Sequence, residues 1–320
     1  MAATPKRPTL SIVIPCYNEE QTLVDTNRKL SALLGTLIEE KLIDQSSFLF
    51  YVDDGSRDKT WEVIKEMHAK HTHVCGISLT ANAGHQKALL AGMLNCKKEA
   101  DVIITIDADL QDDITAIREM MRRYEEGYEI VYGVRKSRQY DSFMKKNSAL
   151  QFYKLMAWLG VKTIYNHADY RLMSYKSVCQ LEHYRERNLF LRGIVPLLSS
   201  RTTSVYYSRS ERSTGESHYP LSKMLNLAID GITSFSIRPL RLITGFGFLF
   251  LLFSIMAVLY TLLRWAQGNT VEGWASLMIS LWFLSSAVLI ALGIVGEYVG
   301  KIYMEVKDRP HYTVEEVLKH

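Results

Sequence analysis

Two long uncharged runs near the C-terminus constrain this chain more than any other feature of its sequence. The first covers residues 242–263 and the second covers residues 275–296, and each is 22 residues long. An α-helix needs about 20 apolar residues to cross the hydrocarbon core of a bilayer. Because only eleven mostly polar residues join the runs, the sequence predicts a transmembrane hairpin whose ends lie on one side. The alternative for either run alone is a core helix of a soluble domain.

The basic residues around the hairpin predict its orientation. Arg238 and Arg241 precede the first run, Lys301 and Lys307 follow the second, and Arg264 is the only basic residue of the link. Loops with an excess of Lys and Arg stay in the cytoplasm. We therefore expect the N-terminal part and the C-terminal tail to be cytoplasmic.

The remaining composition limits the compartment and the class of partner. The net charge is +4, and the basic residues are scattered, which gives no sign of a nucleic-acid-binding tail. The four cysteines are far apart and form no CxxC pair, so we expect reduced thiols. Residues 1–9 contain no apolar signal region, in agreement with a cytoplasmic N-terminal domain.

Residues 221–235 carry apolar side chains at helical spacing, which predicts an amphipathic helix at the membrane surface. An ordinary helix packed on a globular core is the alternative. The expected organisation is a cytoplasmic globular domain over 1–219, this juxtamembrane helix over 220–241, two membrane spans over 242–263 and 275–296, and a cytoplasmic juxtamembrane helix and tail over 297–320.

The first 135 residues alternate predicted strands with predicted helices. The strands are expected at 10–14, 48–52, 74–79, 102–106 and 130–132, and the helices around 19–35, 58–70, 85–97 and 113–126. This alternation predicts an α/β fold, a parallel sheet with helices on both faces. Ligands bind such sheets beyond the carboxyl ends of the strands.

Acidic residues follow three of these strands. Glu19 follows the first strand, Asp54 the second, and Asp107 and Asp109 the fourth. Two carboxylates that flank one residue can converge on a hard divalent ion such as Mg²⁺ or Mn²⁺. For each motif alone a structural explanation stays open: Asp107 and Asp109 as helix caps, and Asp54 as part of a turn before a helix.

The segments VIPCYNE (13–19), VDDGS (52–56) and DADLQ (107–111) resemble the signature of family 2 glycosyltransferases with the GT-A (Rossmann-like) fold. With the two apolar runs, residues 8–315 resemble polyprenyl-phosphate glycosyltransferases, the group of bactoprenol glucosyltransferase and dolichol-phosphate mannose synthase. The resemblance implies Mg²⁺ or Mn²⁺ on Asp107 and Asp109. The implied nucleotide-sugar site consists of Pro15, Tyr17, Glu19, Val52, Asp54, Asp107, Ala108, Gln111, Arg135, Arg212 and His218.

The resemblance also implies catalytic and acceptor residues. Arg212 and His218 belong to a motif that closes over the diphosphate, and His218 stands where the family usually has Lys. Asp169 is implied as general base, although it could instead orient the acceptor or organise neighbouring arginines, or form a purely structural salt bridge. The implied catalytic residues are Asp109, Asp169 and Arg212, and the implied acceptor-phosphate residues are Arg171, Arg238 and Arg241. For Arg238 and Arg241, ordinary anchoring beside the membrane is the alternative.

We therefore expect an inverting transferase that moves a hexose or N-acetylhexosamine from a UDP-sugar to undecaprenyl phosphate, for cell-envelope glycosylation. The resemblance further implies a homo-oligomer, a downstream flippase and a second transferase. One alternative is a processive polysaccharide synthase, but the chain has no QxxRW motif. Another is a non-catalytic nucleotide-sugar-binding scaffold, which could dispense with Asp107, Asp109 or Arg212.

Overall fold

A computed structural model describes residues 7–135, 167–187, 189–208, 238–267 and 273–319. The chain divides into two compact units, which are treated separately below. The first unit comprises Met1–Tyr153, Lys162–Tyr219 and Arg309–His320, and the second comprises Lys154–Val161 and Pro220–Asp308.

The strands described in the first unit form one eight-stranded sheet in the order β7-β5-β6-β4-β1-β2-β3-β8. They are β1 Leu10–Cys16, β2 Phe48–Asp53, β3 Val74–Leu79, β4 Val102–Thr105, β5 Ile130–Arg135, β6 His167–Ser174, β7 Thr202–Tyr207 and β8 Val314–Leu318. All five predicted strands are confirmed. Strands β1 to β4 are buried throughout, as expected for parallel strands covered on both faces.

The sheet is mixed, whereas the sequence predicted a parallel one. Strand β1 lies parallel to β2 and β4, and β2 lies parallel to β3. Strand β6 runs antiparallel between β4 and β5, and β8 runs antiparallel along β3. Both antiparallel strands come from segments that the sequence analysis did not interpret as strands.

The helices within the described residues of the first unit are α1 Leu23–Glu39, α2 Thr60–Lys70, α3 His85–Cys96, α4 Ala116–Glu125, α5 Tyr175–Leu181 and α6 Leu191–Ile194, followed by a 3-10 turn at Val195–Leu197. Helices α1, α2 and α4 pack their apolar stripes against one face of the sheet. Helix α3 covers the other face, where a Cβ on Gly92 would lie 2.3 Å from Cγ1 of Val13. The predicted layer on each face is confirmed.

The C-terminal segment returns to the sheet. It was expected to be a cytoplasmic tail, but β8 forms the edge strand beside β3. The register pairs Gly76 with Leu318 and Ile77 with Val317. The last strand of the catalytic unit therefore follows the apolar runs in the chain.

The part of the second unit that the structure describes contains two long helices, α7 Arg238–Ala266 and α8 Trp274–Val306. Both are long and apolar enough to cross a membrane, over Pro239–Arg264 and Ser280–Val306. Helix α8 continues through residues 297–306, so the helix predicted after the second run is part of the same helix. The amphipathic helix predicted before the first run lies mostly outside the described residues.

Candidate active site

The loops after β1 and β2 are joined to each other at the carboxyl edge of the sheet. Asn18 adopts φ 56°, a left-handed conformation that Asn tolerates better than most residues. Its amide N–H donates to Ser56 Oγ at 3.0 Å, and its side-chain Oδ1 accepts from the Arg57 amide at 2.9 Å. The Glu19 amide donates to Thr60 Oγ1 at 2.9 Å. Asn18 thus fixes the position of a loop that carries predicted donor-site residues.

Asp54 binds the loop that follows β3. Its Oδ1 accepts from the Ala83 amide at 2.7 Å and its Oδ2 from the Gly84 amide at 3.0 Å. Burial raises the pKa of Asp54, and the two amide hydrogen bonds oppose that rise. The next residue, Gly55, has φ 64°, and a Cβ there would lie 2.6 Å from the Ala81 carbonyl carbon. Only glycine fits this contact without displacing the loop.

The DADLQ segment forms a tight turn after β4. The Leu110 amide donates to the Asp107 carbonyl at 3.2 Å, and the Gln111 amide donates to Asp109 Oδ1 at 3.3 Å. Leu110 has φ 44°, which is rare for a branched residue and marks strain of the kind found at functional sites. Ala108 is buried beneath the turn, whereas Asp109 is exposed.

Asp107 lies in a region rich in carboxylates. Burial raises its pKa, and the negative charges of Asp169, Asp112 and Asp109 raise it further, while His85 opposes the rise. A bound cation would relieve this repulsion. Mg²⁺ is usually held by one or two carboxylates together with oxygens of a phosphate ligand. The two carboxylates of this turn fit such an ion, and the described ranges contain no cluster of three or more acidic, His or Cys side chains arranged to bind a metal.

Asp169, at the start of β6, is surrounded by three basic side chains. Arg171 Nη2 lies 2.6 Å from its Oδ1, and Arg192 Nη2 lies 3.1 Å from its Oδ2. Arg192 Nε lies 3.4 Å from Oδ1, which makes the Arg192 contact side-on. His85 Nε2 is 3.6 Å from Asp169 Oδ2 and equally far from Asp107 Oδ1. His85 therefore connects the Asp169 cluster to the Asp107 turn.

These three basic side chains determine the charge of Asp169. Burial alone would raise its pKa, but His85, Arg171 and Arg192 together hold the pKa well below its usual range. For His85, burial would lower the pKa, and the carboxylates of Asp169 and Asp107 outweigh that effect and raise it. Asp169 is therefore an anion throughout the neutral range and a weak proton acceptor.

The two arginines on Asp169 differ in exposure. The Arg171 side chain is 1% exposed, whereas the Arg192 side chain is 38% exposed. Among the described residues, Arg171 Nη1 has no hydrogen-bond partner. Arg171, which the sequence predicted to bind the acceptor phosphate, lies behind Asp169, and Arg192 is the arginine that reaches the surface.

His85 and Arg192 were missed by the sequence analysis. His85 follows Gly84 just beyond β3, so the rule that strand ends carry ligand-binding residues would have found it. Arg192 lies in the four-residue helix α6, where no motif singles it out.

Arg135, which was predicted near the diphosphate, pairs with a buried acid. Its Nε and Nη2 lie 3.1 and 3.2 Å from the two carboxylate oxygens of Asp112, which is 3% exposed. Its Nε also lies 3.3 Å from the Tyr207 hydroxyl. These contacts raise the pKa of Arg135, although burial opposes the rise.

The other predicted donor residues lie in or just after β1 and β2, or in parts of the chain that the structure does not describe. Pro15 and Val52 are buried in adjacent strands, and Tyr17 is 42% exposed beyond β1. The Glu19 carboxylate accepts from Thr22 Oγ1 at 2.7 Å. Arg212 and His218 lie outside the residues that the structure describes, and so does the side chain of Arg238. Arg241 is exposed on α7 of the second unit.

Residues 11–181 match the sequence profile described as "Glycosyl transferase family 2", which is more than half of the chain. The chain belongs to glycosyl transferase family 2. Its sheet, with the acidic turns at the carboxyl edge, is the GT-A-like fold of that family, and the protein is a glycosyltransferase.

Relatives match almost the entire chain. An "Uncharacterized glycosyltransferase YkoT" of Bacillus subtilis is 50% identical over 97% of this chain and 92% of its own length. The "SfII prophage-derived bactoprenol glucosyl transferase" of Shigella flexneri is 35% identical over 96% of this chain and 97% of its own length. Among solved structures, S. aureus TarS 1-349 with UDP-GlcNAc aligns at a TM-score of 0.46 and 15% identity, covering 71% of this chain and 66% of that one.

Proposed function

We propose that this glycosyltransferase moves a hexose or N-acetylhexosamine from a UDP-sugar to undecaprenyl phosphate, with inversion at the anomeric carbon. The observation that carries the proposal is the bridge from Asp107 through His85 to the Asp169–Arg192 pair. It places a carboxylate turn suited to a cation beside an exposed arginine suited to a phosphate. The full-length similarity to relatives named bactoprenol glucosyl transferases supports the choice of acceptor.

The donor nucleoside would bind across the ends of β1 and β2. Asp54 shapes the pocket by holding the loop after β3, and Tyr17 offers an exposed ring on which a base can stack. Pro15 and Val52 form the buried floor, and Glu19 lies at the rim. We propose UDP over GDP because the chain resembles the bacterial polyprenyl-phosphate group, in which UDP-sugars are common donors, and is similar over almost its whole length to a relative named bactoprenol glucosyl transferase.

Asp107 and Asp109 would hold Mg²⁺ or Mn²⁺, and Ala108 and Gln111 would line the same turn. When bound, the ion would neutralise negative charge on the diphosphate of the donor. Arg212 and His218 stay predicted ligands of the diphosphate. Arg135 would act indirectly, since its contact with Asp112 supports the base of the turn.

The acceptor phosphate would bind Arg192. Arginine binds phosphate oxygens with two parallel N–H groups, and the exposed Arg192 lies where a ligand can reach it. Arg171 would reinforce the site from behind by sharing Asp169. Asp169 would orient the arginines rather than remove a proton, because a phosphate monoester, with a second pKa of about 6, is already largely ionised near neutral pH.

The transfer itself would be one displacement. An oxygen of the lipid phosphate forms a bond to the anomeric carbon as the bond from that carbon to the donor's diphosphate breaks. The electron pair of the broken bond leaves with UDP. No proton needs to move, so catalysis would rest on alignment and on charge stabilisation of the leaving group.

A lipid acceptor requires access to a membrane. We propose that α7 and α8 anchor the chain in the bacterial inner membrane, with the catalytic unit in the cytoplasm, and that Arg238 and Arg241 attract anionic headgroups or anchor the helix. A homo-oligomer, a flippase and a second transferase stay predictions from the family resemblance.

The proposal is tested by incubating the purified full chain with a panel of donors and acceptors in the presence of Mg²⁺ or Mn²⁺. The donors are UDP-glucose, UDP-N-acetylglucosamine and GDP-mannose, and the acceptors are undecaprenyl phosphate, undecaprenyl diphosphate and undecaprenol. Mass spectrometry is expected to detect one glycosylated lipid. It should form only in the reactions that contain a UDP-sugar together with undecaprenyl phosphate. Transfer to undecaprenol, or from GDP-mannose alone, would contradict the proposal.

A further inference from the structure

The C-terminal strand contacts three elements around the edge of the catalytic sheet. Strand β8 pairs with β3, and Glu316 on it accepts from Trp61 Nε1 at 2.8 Å and from Lys65 Nζ at 2.7 Å, both on α2. The hydroxyl of Tyr312, just before the strand, lies 3.5 Å from Asn95 Nδ2 on α3. These side chains fix the register of a short strand that backbone pairing alone would hold weakly.

One further contact joins the residue before β8 to the loop after β3, which borders the proposed donor site. The Thr80 amide, the first after β3, donates to the Thr313 carbonyl at 3.0 Å. Thr80 begins the loop whose later amides, at Ala83 and Gly84, bind Asp54. The middle of the same loop packs against Gly55.

The loop over residues 80–84 is therefore held at both ends. The C-terminal segment holds its beginning, and the carboxylate of Asp54 holds its end. His85, which bridges Asp107 and Asp169, follows the loop directly as the first residue of α3. A displacement of the C-terminal segment would release the loop and with it the shape of the donor pocket.

We infer that residues 312–318 are a positioning element of the donor site, acting through the loop over residues 80–84. The inference rests on the proposed function for the identity of the ligand, a uridine nucleotide. The segment follows α8 in the chain, so the membrane helices are followed by a strand on which donor binding depends. A strand at this position ordinarily protects the exposed edge of a sheet. If β8 did nothing else, removing it would leave the affinity for the donor unchanged.

The test compares the full chain with a chain that ends at Lys307, both purified in the same detergent. Isothermal titration calorimetry measures the Kd for UDP, with and without an added peptide of residues 308–320. We expect truncation to raise the Kd about tenfold or more, a loss of about 1.4 kcal/mol, and the peptide to restore it by adding a strand to β3. An unchanged Kd in a folded truncated chain would overturn the inference.

A pair of variants in the full chain covers the case in which truncation prevents folding. Glu316 contacts α2, whereas Glu315 is exposed on the other face of the same strand. Glu316→Ala is expected to raise the KM for the UDP-sugar about threefold, the effect of a lost hydrogen bond, and to leave the acceptor KM unchanged. Equal donor KM values for Glu316→Ala and Glu315→Ala would overturn the inference. Failure of the wild type to bind UDP would instead reject the proposed donor.

Discussion

Arg192 and Asp169 form a side-on ion pair, with Nη2 3.1 Å from Oδ2 and Nε 3.4 Å from Oδ1. Asp169 is 10% exposed and Arg192 38% exposed, so the pair presents its positive side toward solvent. The fully buried Arg171 adds a second positive charge behind the same carboxylate. Two guanidinium groups therefore contact one carboxylate, and the more exposed of them, Arg192, is of the type that binds phosphate.

Replacing Arg192 with Ala is expected to raise the KM for undecaprenyl phosphate about 10- to 100-fold, since hydrogen bonds to charged groups contribute about 1.5–3 kcal/mol. The Kd for UDP should stay the same. Arg118→Ala is a matched control, because Arg118 is also 38% exposed and makes a two-point contact with Glu40. Steady-state kinetics with the acceptor varied measures the effect. Equal acceptor KM values in the two variants would refute this assignment.

Asp169→Asn should destabilise the fold by about 3–5 kcal/mol near neutral pH, because it leaves the buried Arg171 without its counter-charge. The folded-state pKa of Asp169 lies below its unfolded value of about 3.9. Its contribution is therefore fully present above about pH 4 and is lost only as the pH falls through the lower folded value. Thermal unfolding should show a difference in Tm between wild type and variant at pH 8 that increases toward pH 5, because Asp169 raises the pKa of His85 in the wild type only. A difference that shrinks toward pH 5 would identify Asp169 as a group that titrates near neutral pH.

Gly55→Ala should impair donor binding more than Gly127→Ala does. Both glycines have positive φ, at 64° and 96°, so an alanine at either position strains the backbone. A Cβ at Gly55 would lie 2.6 Å from the Ala81 backbone, whereas a Cβ at Gly127, after α4, would meet nothing within 4 Å. Calorimetry with UDP should show a clear increase in Kd for Gly55→Ala alone. If the two variants bind UDP equally well, the loop does not shape the donor site.

Activity should require a divalent cation held by the DADLQ turn. Asp107→Asn and Asp109→Asn are each expected to lower kcat about 100-fold or more, which corresponds to the several kcal/mol that a metal contributes. Asp113→Asn is the control, because the Asp113 carboxylate caps α4 through Thr115 instead. EDTA should abolish wild-type turnover, and added Mg²⁺ or Mn²⁺ should restore it. Full activity in EDTA would exclude this role of the two acids.

The central strands and their acidic ends could be predicted because the physical signals are local. A strand covered on both faces is a continuous apolar run, as in β1 and β2, and its carboxyl end follows directly in the sequence. The positions of Asp54 and Asp107 at one edge of the sheet follow from the parallel pairing.

The antiparallel strands and the contact between Arg192 and Asp169 could not be predicted in this way. Strand β8 is five residues long with two adjacent glutamates, and it forms by pairing with β3, which is far away in the sequence. Arg171 lies in the middle of β6. An arginine in a sequence is normally expected at the surface, and Arg171 is buried here because it pairs with Asp169. Arg192 meets Asp169 through tertiary packing, which leaves no spacing to detect.

The measurement that tests the central claim most directly is ¹H–³¹P NMR of the lipid product isolated from the reaction with a UDP-sugar and undecaprenyl phosphate. The account predicts a phosphodiester phosphorus coupled to the anomeric proton of the transferred sugar, with the anomeric configuration opposite to that of the donor. A product without phosphorus–anomeric proton coupling would show that the lipid phosphate is not the acceptor. A product with the donor's configuration would contradict the single displacement.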